Sequence, residues 1–145
     1  MNETVNVVDI ISQIRSNLIT NIENMQQKSE NSVEMPKKKI RYQGIVERVR
    51  NQKKIIIVGA GNYGKQLYEI FKRNGIENVV CFADNSAGNY VNGVFDKRVI
   101  SIEDAVKEHK DAYYIVTPKY YFMEIIRQIN LFGISIDQID CFLGF

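Results

Sequence analysis

The chain of 145 residues has no tryptophan, one histidine, two cysteines, two prolines and no apolar run longer than a few residues. Each scarcity closes a class of function. Without a stretch of about twenty apolar residues, no segment can span a bilayer as a helix. The opening Met1-Asn-Glu-Thr-Val has no basic stretch leading into an apolar one, so it does not read as a secretory signal. Cys81 and Cys141 both lie in apolar, strand-like runs. They read as buried thiols of a cytoplasmic protein rather than as a disulfide. With one histidine and no close Cys/His cluster, no metal site is expected. His109 sits in Lys107-Glu-His-Lys110, a charged helix end, and reads as a solvated side chain rather than a general base.

What the chain does have is an ordinary 45% of apolar residues, enough for one domain with an extra element. Its net charge of +2 hides an asymmetry. Residues 37–54 carry eight basic side chains against one acid, Glu47, which leaves 11 basic and 16 acidic residues elsewhere. Such a stripe suits an acidic partner, a membrane surface or nucleic acid, or is a solvated helix face. No nucleic-acid motif accompanies it and its only aromatic is Tyr42, so the solvated face is the favoured reading and no nucleic-acid partner is expected.

Three segments follow one another. In residues 1–35, Val7, Ile11, Ile14, Leu18, Ile22 and Met25 recur at spacings of three and four, one stripe of an amphipathic helix, before a polar linker that runs to Pro36. That stripe must be buried on its own domain, on a second copy (a homo-oligomer) or on another protein. Residues 36–52 form a short basic helix with Ile45, Val46 and Val49 available to pack. Residues 53–145 alternate strand and helix. Strands are expected at about 54–59, 78–84, 98–100, 112–117 and 139–144, and helices at about 63–74, 102–109 and 119–132. Gly75 and Gly133 stand where helix C-caps belong, and Ser101 stands before the acids Glu103 and Asp104 as an N-cap. The pattern implies a three-layer α/β domain around a parallel five-stranded sheet, order 3-2-1-4-5. The loop Asn85 to Asp96 has little periodicity and is expected at the carboxyl end of the second strand.

The chemistry concentrates in Lys54 to Lys65, KIIIVGAGNYGK. An apolar strand runs into Gly59-x-Gly61-x-x-Gly64 and on into a helix, and Asp84 follows at the end of the next strand. In that context the glycines read as a dinucleotide-type fingerprint: Gly59 for the tight turn, Gly61 for close approach of backbone to a pyrophosphate, Gly64 for packing of helix on strand. The helix N-terminus would present free N–H groups to the anion. The same residues nearly spell a P-loop, but Gln66 stands where a magnesium-binding Ser or Thr is needed.

Around the turn, several residues have two readings. Lys65 neutralises a phosphate or faces solvent. Asn62 caps the helix or bonds a phosphate oxygen, and Tyr63 stacks on a base or sugar or covers the loop. Asp84, with Asn85 beside it, accepts ribose hydroxyls or merely shapes an Asp-Asn-Ser turn. Thr117 contacts ligand or caps a helix starting near Pro118. Tyr68-x-x-x-Lys72 matches the spacing of a dehydrogenase Tyr/Lys pair, but on the wrong helix, and reads as coincidence. Only residues 134–145 follow the last helix, which leaves a substrate half unaccounted for and whether the chain is an enzyme open.

From Ile55 onward the chain resembles a family of small Rossmann-like domains of bacterial surface-polysaccharide pathways. The residues that carry the likeness are GAGNYGK, CFADNS, KRVIS and IEDA. Such domains stand at the N-termini of sugar N-acyltransferases and beside glycosyltransferase, methyltransferase or epimerase-like domains. The resemblance implies a small-molecule nucleotide ligand, a nucleotide-sugar or NAD(P), at the glycine turn, with Asp84 and Asn85 near the nucleoside or sugar. It also implies a partner enzyme that the module serves or regulates. Two rivals stand beside that reading: an NAD(P)-dependent sugar-nucleotide oxidoreductase or epimerase subunit that borrows a substrate domain, and an assembly protein without a ligand.

Overall fold

The structure, a computed structural model, describes residues 10–17 and 37–142. Residues 10–17 are helical (α1), followed by α2 (Lys37–Val49), β1 (Ile55–Val58), α3 (Asn62–Arg73), β2 (Val79–Ala83), a 3-10 turn (Ala87–Tyr90), β3 (Val99–Ile100), α4 (Ile102–Glu108), β4 (Tyr113–Val116), α5 (Phe122–Leu131), a second 3-10 turn (Ile136–Gln138) and β5 (Ile139–Cys141). The strands are parallel, in the order β3-β2-β1-β4-β5. All four residues of β1 are buried, as a central strand covered on both faces requires, which is why Ile55-Ile-Ile-Val58 shows no polar alternation.

The two faces of the sheet carry separate cores. Ile56, Val58, Cys81, Tyr114 and Val116 face α4 and α5 through Ile102, Ala105, Val106, Ile126 and Ile129. Ile55, Ile57, Phe82 and Ile115 face α2 and α3 through Ile45, Val46, Val49, Leu67, Ile70 and Phe71. Three layers result, with β1 and β4 at the centre, where the strand order reverses.

Local signals set the element ends. The Ser101 side chain accepts the Asp104 amide at 3.0 Å and opens α4. Helix α3 closes with Gly75 N–H on Lys72 O and Ile76 N–H on Phe71 O, and α5 repeats the arrangement with Gly133 on Asn130 and Ile134 on Ile129.

Several expectations change. Ile10 and Ile14 are buried in the α4/α5 layer while Ile11 is only half-buried, so the described part of the N-terminal stripe turns on Ile10. Val7, Leu18, Ile22, Met25 and the linker lie outside the described residues. The last helix begins at Phe122, not near 119, because the chain leaving β4 first turns through Pro118 to Tyr121. The basic stripe is not a uniformly solvated face. Arg48 is half-buried on α2 and grips Asp140 of β5 with two hydrogen bonds, Nε to Oδ2 at 2.6 Å and Nη2 to Oδ1 at 3.2 Å. Nor is His109 solvated: it ends α4 with both ring nitrogens shielded and its Nε2 at 3.6 Å from Glu108.

The loop after β2 is also more ordered than its composition suggested. Val94 and Lys97 exchange backbone hydrogen bonds of 2.9 and 3.0 Å, making a hairpin with Phe95 and Asp96 at its tip. The tip folds onto α3, where the Phe95 ring stacks on Tyr68 at 5.1 Å and the Tyr68 hydroxyl donates to Asp96 Oδ1 at 2.5 Å.

Candidate nucleotide cradle

Three turns meet at the carboxyl edge of the sheet, above the reversal between β1 and β4. They enclose a cavity of about 450 Å³, within the range of small-molecule sites. The turn after β1 contributes Gly59, Gly61, Asn62, Tyr63 and Gly64; the turn after β2 contributes Asp84, Asn85 and Ser86; the turn after β4 contributes Thr117, Pro118 and Tyr121. The first turns of α5 form the far wall with Glu124, Ile125 and Gln128.

The glycines of the first turn differ in what holds them. Gly59 has φ +103°, and a Cβ there would lie 2.5 Å from Thr117 Oγ1. A Cβ on Gly64 would lie 1.9 Å from the Gly59 carbonyl oxygen, so the helix can approach the turn only without one. Gly61 is different. Its φ of −81° suits any residue, and a Cβ there would meet nothing within 4 Å. The protein itself does not need glycine at that position.

Gly61 is the N-cap of α3, with no side-chain cap. The first intrahelical bond runs from Lys65 N–H to Gly61 O at 3.0 Å, so the amides of Asn62, Tyr63 and Gly64 precede it, at the positive end of the helix dipole. Of the two readings of Asn62, the capping one falls: Asn62 stands inside the helix, exposed, and lines the cavity. Lys65 is exposed too and is not among the residues lining the cavity.

Asp84 is half-buried at the end of β2. Its Oδ2 accepts the Ala60 amide at 2.9 Å and its Oδ1 the Ser86 amide at 2.8 Å. Beside it, Asn85 and Gln128 exchange side-chain hydrogen bonds of 3.0 and 3.1 Å, joining the β2 turn to α5. Thr117 is buried, and its hydroxyl donates to Val58 O at 2.7 Å. That bond holds β4 to β1 behind Gly59; Thr117 does not cap α5, which starts at Phe122 with Tyr121 at its N-cap.

Sequence reasoning missed Tyr90, Ile102, Pro118, Tyr121, Glu124, Ile125 and Gln128. A signal for four of them was available. Tyr121, Glu124, Ile125 and Gln128 follow the i, i+3, i+4, i+7 spacing of one helical face, and the strand reversal puts the start of that helix beside the glycine turn.

The remaining reactive groups sit elsewhere. Burial pushes the Cys81 thiol up to about 11 and the Cys141 thiol up to about 12, so neither is a ready nucleophile. Burial, with the bond to Asp96, pushes the Tyr68 phenol up to about 12, opposite to what a catalytic tyrosine base needs, and Lys72 lies over its ring. Among the described residues, no group of three or more His, Cys, Asp or Glu is placed to hold a metal ion, and no helix is long and apolar enough to cross a membrane.

Sheet order, three layers and a cavity at the strand reversal define a Rossmann-like α/β protein. Residues 54–117, from the start of β1 to the end of β4, match the family described as the PglD N-terminal domain. Among solved structures, the chain is similar to "RSP, a Rex-family repressor", with a TM-score of 0.52, 16% identity and coverage of 99% of this chain and 83% of that one. A second structure, "RSP in complex with beta-NADH", gives a TM-score of 0.51 and 18% identity, covering 99% and 82%. These likenesses are of fold. No curated protein matches the chain.

Proposed function

We propose that this chain is a nucleotide- or nucleotide-sugar-binding module that acts with, or regulates, an enzyme of polysaccharide biosynthesis. Residues 53–145 would be the binding unit, with residues 1–35, an amphipathic helix and linker, and residues 36–52, a basic helix, as additions. The observation that carries the reading is Gly61. Gly59 and Gly64 are explained by the protein's own contacts, whereas Gly61 faces open cavity at the uncapped start of α3. A diphosphate approaching the amides of residues 61–64 is what a side chain there would obstruct. Asp84 keeps further lone pairs for ribose hydroxyls after accepting its two amides. The match of residues 54–117 to the PglD N-terminal domain supports the polysaccharide setting.

The work of such a site is positioning: amides hold the phosphates, Asp84 orients the ribose, and the α5 wall meets the group beyond the phosphates. Calorimetry of the purified chain with NAD, NADP, a UDP-sugar and a CDP-sugar tests it. At least one should bind with micromolar to millimolar affinity, and Gly61→Ala should weaken that binding about tenfold or more. Silence from all four at millimolar concentration would rule the reading out.

A further inference from the structure

Asp84 is engaged on both oxygens before any ligand arrives, and its partners come from two different turns. Ala60, at 2.9 Å, belongs to the turn after β1; Ser86, at 2.8 Å, belongs to the turn after β2. The main chain on either side is already stitched to its neighbours, Gly59 N–H to Ala83 O at 2.7 Å and Asp84 N–H to Ile100 O at 2.9 Å. We propose that Asp84 is a positioning residue for the phosphate cradle: its carboxylate sets the course of the glycine turn so that the amides of residues 61–64 converge on one anion, in addition to any contact with ribose. This rests on the nucleotide reading of the cavity.

The argument is one of restraint. Ala60 itself is buried in the core and Gly61 O accepts the Lys65 amide, but no side chain caps α3 and the Cβ position of Gly61 touches nothing. The Ala60–Asp84 bond is then the side-chain restraint on where the backbone enters the helix. It also withdraws the Ala60 amide from the ligand and leaves the donor set as residues 61–64. A carboxylate accepting main-chain N–H groups makes a stronger bond than a neutral acceptor would, which suits it to fix the stretch of the turn between Gly59 and the start of α3.

The sign of the effect separates this role from simple electrostatics. A carboxylate beside an anion site repels the anion, so by charge alone its removal should raise affinity. If Asp84 positions the cradle, removal should lower it, even for an anion that has no ribose. The experiment is calorimetry or competition with inorganic pyrophosphate on the wild-type chain, Asp84→Ala and Asp84→Asn, with thermal melting of each. Asp84→Ala should weaken pyrophosphate binding about five- to tenfold, the equivalent of one lost charge-assisted bond. Asp84→Asn keeps one oxygen acceptor and should recover part of that loss although it too has lost the charge. Should Asp84→Ala not fold, Asp84→Asn carries the same sign test alone.

Unchanged or tighter pyrophosphate binding in either variant overturns the proposal. Weakened nucleotide binding with pyrophosphate unaffected would restrict Asp84 to the ribose and leave the nucleotide reading standing. A wild-type chain that binds nucleotide but no pyrophosphate also overturns it, whereas a chain that binds neither removes the nucleotide reading itself.

Discussion

Two carboxylates lie on this sheet, and they are satisfied in different ways. Asp140, on edge strand β5, is met mainly by side chains: Arg48 grips it with two bonds and the Tyr113 hydroxyl donates to Oδ2 at 2.8 Å, with one amide, that of the adjacent Cys141, donating to Oδ1 at 2.8 Å. Asp84, at the end of β2, is met by backbone: two amides from two turns. The first carboxylate is paired with a cation and has little exposure, 11% of its side chain. The second is paired with neutral groups and borders an open cavity. A carboxylate neutralised by arginine is a clasp, here fastening α2 to the far edge of the sheet. A carboxylate held by amides keeps its charge and part of its acceptor capacity for something else. The contrast also says where each region is vulnerable: the cradle at its glycines, the clasp at its side chains.

The largest effect should come from breaking the cradle's backbone. In Gly64→Ala the new Cβ falls 1.9 Å from the Gly59 carbonyl oxygen, a main-chain atom that can move only if turn or helix moves with it. We expect a loss of about 3 kcal/mol or more in chemical denaturation, and no nucleotide binding by the protein that remains folded.

Breaking the clasp should cost less and leave binding untouched. Burial works against the Arg48 charge, but its hydrogen bond and attraction to Asp140 outweigh that and raise its pKa. Arg48→Ala would leave Asp140 with one side-chain donor. Because the Arg48 side chain is 31% exposed, water takes over part of its role, and we expect a loss of about 2 kcal/mol, below the cost for a wholly buried pair. Nucleotide affinity should stay within about twofold. A larger change in affinity would mean that the two regions are coupled through the sheet.

The fold was more legible than the cavity wall, and the two regions show why. The order of elements could be read because each apolar run is buried where it stands: β1 is apolar throughout, and the stripe of α3 meets the core at Leu67, Ile70 and Phe71. Gly59, Gly61 and Gly64 could be read because a fixed spacing between strand and helix answers to one geometry. The Arg48–Asp140 clasp could not, since it joins residues 92 apart and nothing in either neighbourhood announces the other. The α5 wall was missed although Tyr121, Glu124, Ile125 and Gln128 share one helical face, because nothing local in that run says which face meets the glycine turn. The loop after β2 read as irregular because a stacked Tyr68–Phe95 pair leaves no periodic trace.

A smaller effect on the clasp should emerge in alkali. Burial, then the neighbouring Asp140, raises the Tyr113 phenol above its ordinary value of 10.0. Below pH 10 the phenol is neutral in both folded and unfolded chains and contributes no pH dependence. Above it the unfolded chain ionises first, so stability falls as pH climbs toward the raised native value. In Tyr113→Phe that part of the alkaline decline should disappear. At neutral pH the variant should lose about 1 kcal/mol with the hydrogen bond to Asp140. Parallel stability–pH curves for wild type and variant above pH 10 would show that the phenol is not held back in the fold.

The smallest effect on stability should come from Gly61→Ala, and it is the most telling. The backbone at residue 61 sits at φ −81° and ψ −161°, which alanine adopts without strain, and the added Cβ meets no atom within 4 Å. Alanine restricts the unfolded chain but is a poorer N-cap than glycine, so the variant should stay within about 1 kcal/mol of the wild type. If nucleotide binding weakens in the same variant while stability holds, the glycine serves an occupant of the cavity, as a residue kept for function would. A variant that keeps its stability and still binds nucleotide as the wild type does would place the phosphates away from Gly61. The cradle would then be a consequence of how α3 packs, no more specific to a ligand than the clasp at Asp140.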